Sequence, residues 1–152
     1  MLQNGIYIVT YFRASTGGVG LFHWGIVVKT ADSVKSVRHH ATLLPSWCYE
    51  EREHDFETSQ AGILALKIGN IPAEWGREHF RHLFGQIPVA DTGDFTCRVW
   101  ALRAVHYLVT NLIIQCPDIG ALEAEVKNKS EPLRSQVALG GRPTVQISDY
   151  SK

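Results

Sequence analysis

Leu21-Phe22-His23-Trp24-Gly25-Ile26-Val27-Val28-Lys29 decides how this chain is read. β-Branched and aromatic residues fill it without a polar break except His23, the composition of a strand buried in a sheet. A similar run precedes it, Gly5-Ile-Tyr-Ile-Val-Thr-Tyr-Phe12, and Ser15-Thr-Gly-Gly-Val-Gly20 between the two is a glycine-rich turn or loop. That loop lacks the Gly-x-x-x-x-Gly-Lys-Ser/Thr spacing of a phosphate loop. Thr30-Ala-Asp-Ser33 is short enough for a hairpin connection into a third strand from about Val34 to Leu43, and Gly62 to Ile68 is a fourth. Pro45 to Ser59, with Glu50-Glu51-Arg52-Glu53, is polar and is expected as a surface loop with some extended structure, its acidic run a solvated edge.

Helices are expected in the second half. Trp75, Phe80, Leu83 and Phe84 recur at helical spacing over Pro72 to Phe84. Asp94-Phe95-Thr96 offers N-caps for a long helix from about Cys97 to Gln115, and a further helix runs from Asp118 or Ile119 to about Lys129. The order β-β-β-β-α-α-α predicts an α+β domain, an antiparallel sheet with helices packed on one side. One domain over residues 1–152 is expected, with a core of about 5–130 and a tail of about 131–152, in which Gly140 to Lys152 has little core potential beyond Val145 and Ile147.

Composition narrows the function classes. The 152 residues carry 15 Lys plus Arg against 15 Asp plus Glu, so no net charge is available to hold nucleic acid or an anionic membrane surface. Three cysteines, Cys48, Cys97 and Cys116, form no Cys-x-x-Cys pair, which argues against a disulfide framework or a cysteine-rich zinc site. Met1 to Thr10 lacks a basic stretch followed by an apolar one, so it does not read as a secretory signal and no leader is expected. Val99 to Ile114, the longest apolar-leaning stretch, is too short and polar to span a bilayer, so a cytoplasmic protein is expected. His79 and His82 stand three apart on a helix without a third ligand, so neither metal nor cofactor is expected.

Two local features point to chemistry. His23 lies near the start of an apolar strand, and Cys97 lies in the first turn of the longest helix. A helix N-terminus favours thiolate over thiol, and its free N–H groups suit an oxyanion formed when sulfur attacks a carbonyl. Such chemistry needs a base beside the thiol and a polar group to orient the base. A histidine of the next strand, His39 or His40, suits the last role. Trp100, one turn beyond Cys97, is read first as packing and second as a pocket wall. Trp24 is expected first in the core and Arg98 first in a surface pair with Asp94, with a cap or an anion contact as its alternatives; with Trp100 they are the candidate substrate contacts. Cys116 is expected to be structural and Cys48 to be packed.

His-Trp-Gly-Ile-Val-Val on an early strand, followed by Thr-Cys-Arg-Val-Trp opening a helix, resembles the circularly permuted branch of the NlpC/P60 papain-like superfamily. That branch includes lecithin:retinol acyltransferase-like proteins and small fungal proteins with His-Trp and Cys-x-x-Trp motifs. The resemblance covers about residues 5 to 115 through roughly a dozen motif positions. It implies Cys97 as nucleophile, His23 as base and a third polar residue on the following strand, with His39 the better match by spacing and His40 the second. It also implies a small-molecule, peptide or acyl substrate, processed by hydrolysis or acyl transfer. The acyltransferases' Asn-Cys-Glu-His-Phe motif is absent, since Thr96 and Arg98 flank the cysteine. The alternative is a binding or interaction module that keeps the fold without catalysis.

Overall fold

A computed structural model describes residues 2–13, 22–43 and 45–152; the glycine-rich 15–20 segment lies outside them. Five strands, β1 (Gly5–Phe12), β2 (Phe22–Lys29), β3 (Ser36–Leu43), β4 (Trp47–His54) and β5 (Gly62–Gly69), precede the helices. Next come α1 (Arg77–Gly85), α2 (Cys97–Thr110), α3 (Ile119–Ser130), a 3₁₀ turn at Glu131–Leu133, the short α4 (Arg134–Ala138) and β6 (Thr144–Ile147). The fold is α+β, built on one six-stranded sheet of order β4-β3-β2-β1-β5-β6.

Side chains alternate across the sheet, so each face can be traced from the strands. Ile6 and Ile8 of β1, Phe22, Trp24, Ile26 and Val28 of β2, and Ile63, Leu64, Leu66 and Ile68 of β5 share one apolar cluster. That cluster also takes Phe80 and Phe84 of α1, Trp100, Ala104 and Leu108 of α2, Leu122 and Val126 of α3, and Val137 of α4. All four helices therefore cover one face. The other face holds a smaller cluster, Tyr7, Val9, Tyr11, Val27 and Ala65, closed by Leu2 and Phe56. β1 reads as an unbroken apolar run because it is central and covered on both sides.

The sheet differs from the expected one in two places. Residues 47–54, expected within a surface loop with some extended structure, form an edge strand paired with β3 through eight residues, from Ser36↔His54 to Leu43↔Trp47. Charged residues at both alternations masked its period, because Glu51 faces arginines of α1 while Glu50 faces the opposite side. The sheet is also mixed, since β6 adds to β5 in parallel. In the tail, Val137 is buried and the Ser151 hydroxyl donates to the Ile68 carbonyl at 2.6 Å, whereas Val145 and Ile147, the residues of 140–152 expected to add to the core, are exposed.

One irregularity positions the site. β3 is paired with β4 over its whole length but with β2 only at Ile26↔His39, Val27↔Arg38 and Val28↔Val37. Gly25 permits the approach at that end, since a Cβ there would stand 3.2 Å from the His39 carbonyl and 3.4 Å from His40 Cβ. Beyond Gly25 the strands part, leaving Phe22 to Trp24 without a ladder partner on β3.

Candidate functional site

α2 begins where β2 and β3 separate. Thr96 is its N-cap, its hydroxyl accepting from the Val99 N–H at 3.4 Å, and Cys97 is the first helical residue. The thiol is buried and directed at the Phe22 carbonyl, 3.9 Å from sulfur. The Phe12 N–H is spent on Ala61 on the β5 side, although Phe12 is level with Phe22. In an antiparallel pair of that kind both residues turn their amide groups away from each other, so the Phe22 carbonyl points into the opening between β2 and β3. Cys97 thus occupies the opening from the helix side.

His23 projects from the other face, opposite Phe22 and Trp24 and beside Tyr11, its partner on β1. Its Nε2 lies 2.6 Å from Nδ1 of His40, and Nε2 of His40 lies 3.0 Å from a Glu50 carboxylate oxygen. Hydrogen bonding to His40 holds the Glu50 carboxyl below the usual carboxylate range, and burial outweighs Glu50 in lowering the pKa of His40. With an ionised Glu50 and a neutral His40, the relay has one direction. His40 donates through Nε2–H to Glu50, His23 donates through Nε2–H to His40, and Nδ1 of His23 keeps its lone pair. Burial, with His40, Arg38 and Arg13 nearby, pushes the His23 pKa down to about 3, so this lone pair is unprotonated at neutral pH.

His39, the residue favoured by spacing as the orienting group, does not meet His23. Alternation puts it on the helix face, where Nδ1 lies 2.7 Å from the Tyr49 hydroxyl and the ring packs against Phe84. Burial lowers its pKa to about 3 as well. His40 takes the position beside His23, because the β2–β3 register sets His39 level with Ile26 rather than with a residue of the His23 face. The structure therefore brings His23, His40 and Glu50 together, and sets Cys97 and His39 on the helix side.

The three substrate-contact candidates are otherwise engaged. Trp100 is fully buried, with Tyr49 stacked on it at 5.7 Å and Phe84 edge-on at 5.8 Å. Trp24 is buried in the main core. Arg98 pairs with Glu123 of α3 at 3.0 Å rather than with Asp94. Cys48 is exposed, not packed, whereas Cys116 is buried and its thiol pKa raised by that burial. On α1, His79 accepts from the Gly76 N–H at 3.0 Å and His82 lies 2.9 Å from the Gln86 amide nitrogen. Among the described residues no three potential ligands gather to hold a metal ion, and no helix is long and apolar enough to cross a membrane.

Glu50, Tyr11, Arg38 and His54 were missed by sequence reasoning. Reading residues 47–54 as a strand would have found two of them, since alternation aligns Glu50 and His54 on the side that His40 faces. Compared with known proteins, the chain matches no family model, no curated protein and no solved structure.

Proposed function

We propose that the protein is a cysteine-dependent hydrolase or acyltransferase of the permuted papain-like kind, with Cys97 as nucleophile, His23 as base and His40–Glu50 as its orienting pair. The observation that carries this reading is the flanking of one opening in the sheet. A thiol at a helix start enters it from one side, and an oriented, neutral imidazole stands at it on the other. Closing the dyad requires the His23 ring to turn Nδ1 toward sulfur. The thiol proton then passes to Nδ1 as sulfur bonds to the substrate carbonyl carbon, and the oxyanion is met by N–H groups of the first turn of α2. Collapse breaks the bond to the leaving amine, alcohol or thiol, which takes the proton from His23. Water or a second acceptor attacks the thioester, its proton passing to His23 and then to sulfur as the carbon–sulfur bond breaks.

Iodoacetamide labelling, measured for each cysteine against pH, tests the reading. Selective alkylation of Cys97 well below pH 8, lost in His23→Ala, is the expected result. Alkylation led by exposed Cys48, with Cys97 silent below pH 9, would sink it. The orientation of the two groups favours a second reading: Cys97 donates to a main-chain carbonyl and His23 bonds His40, as in a binding module that keeps the fold without the reaction. Silence of Cys97 is the outcome expected of that module.

A further inference from the structure

The face bearing His23 holds more polar groups than the relay uses. The Tyr11 hydroxyl, Arg38 Nε and His54 Nε2 are buried with no hydrogen-bond partner among the described residues. They form one corner. The Tyr11 ring lies 5.6 Å from that of His54 and 5.8 Å from that of His23, and the Arg38 guanidinium carbon is 5.5 Å from the Tyr11 ring centre. A buried donor left unpaired loses the hydrogen bonds water gave it, so three in one corner mark a place where an acceptor belongs.

The donors define that acceptor. Arg38 Nε–H can only donate, and burial holds the Tyr11 phenol protonated against the opposite pull of the Arg38 guanidinium, which lies close to its hydroxyl. His54 is neutral, its pKa lowered to about 4 by burial and by Arg38, and one tautomer makes Nε2 a donor. The nearby cations are Arg13, Arg38 and Arg52. The facing anions are Asp55, which acts on His54, and Glu50, which stands 3.8 Å from Arg38, 3.7 Å from Arg52 and 3.0 Å from His40, divided among three partners. A guanidinium edge beside a phenol presents two donors to a planar, two-oxygen anion, the geometry a carboxylate fits.

We propose that Tyr11, Arg38 and His54 form a subsite for a carboxylate, so that the substrate handled at His23 is an acyl compound bearing a free acid group. This rests on the enzymatic reading above. Its test does not need turnover.

The probe is acetate at constant ionic strength, with acetamide as neutral control and inorganic phosphate as competing anion, followed by NMR of the arginine Nε–H and histidine ring resonances. Acetate should move the Arg38 Nε–H and His54 signals in a saturating way, with a Kd of about 10 mM or tighter. Arg38→Gln and Arg38→Lys should each weaken it at least about fivefold, and Tyr11→Phe about threefold. Cys97→Ala should bind as the native chain does. Absence of saturation, equal response to acetamide, preference for phosphate, or unchanged affinity in a folded Arg38 variant would overturn the proposal. If acetate binds but Cys97 never labels selectively, the enzymatic reading fails and the carboxylate site stands. If Cys97 labels but acetate does not bind, the carboxylate site alone is lost.

Discussion

The two faces of the sheet use the same strands for opposite ends. On the helix side, residues of β1, β2 and β5 meet four helices. The buried polar groups there include Thr10 paired with Ser130 at 2.8 Å as well as His39 Nε2 and Trp100 Nε1, which have no partner among the described residues. On the other side a small cluster around Tyr7, Val9 and Phe56 gives way, toward the start of β2, to His23, His40, Glu50, Arg38 and His54. Most of the apolar packing lies on one face, and the connected relay of histidines and charges lies on the other. A difference of one residue in β3 decides which of these a histidine joins. His39 becomes a core ring between Tyr49 and Phe84, and His40 becomes part of a relay.

The comparison breaks first if the helix face does not dominate stability. Trp100→Ala, which empties the contact among Tyr49, Phe84 and the sheet, should cost about 3–5 kcal/mol in urea unfolding while leaving the His23–His40 ring resonances in place. A loss below about 1 kcal/mol would show that the core is organised elsewhere. Second in size, His23→Ala should slow Cys97 alkylation at pH 7 by about 100-fold and His40→Ala by about tenfold, whereas His39→Ala should leave it unchanged and lower stability instead. Equal effects of His39→Ala and His40→Ala on alkylation would erase the distinction between faces.

Acid should act on both faces at once. His23 and His39 have pKa values near 3 and His54 near 4 in the fold, against about 6.5 in the unfolded chain. Between those limits the unfolded chain binds protons that the folded chain refuses, so stability is complete above about pH 6.5 and falls as pH drops toward 4. Each such histidine contributes at most about 1.4 kcal/mol per pH unit in that window. Urea midpoints measured from pH 7 to 4 should fall accordingly, and His39→Leu should flatten the slope by one histidine's share. The smallest effect concerns the start of α2. Thr96→Ala removes the side chain that caps the Val99 N–H and should cost about 1 kcal/mol in thermal unfolding.

The apolar strands and the long helix were legible from residue type alone, because β1, β2 and β5 are buried on both faces and Thr96-Cys97 carries a cap signature. β4 was not, since an edge strand with Glu and Arg on both sides has neither apolar alternation nor apolar continuity. The relay was half legible. His23 stood out against its strand, but the choice between His39 and His40 turned on the β2–β3 register. Arg38 and Tyr11 became visible only through tertiary contact, Tyr11 having read as another apolar strand residue.

The acidic run of β4 has one more consequence, for the company this sheet can keep. An outermost strand offers a row of open main-chain groups to any passing extended segment, and Glu50, Arg52 and Glu53 surround that row with charge that a second strand would have to desolvate. The opposite border is β6, four residues long, with Ile147 largely open to water and Val145 partly so. Its shortness is its main protection. Under crowding or partial unfolding, self-assembly of this protein would start from the β6 border, and a lysine at Ile147 would guard it as β4 is already guarded.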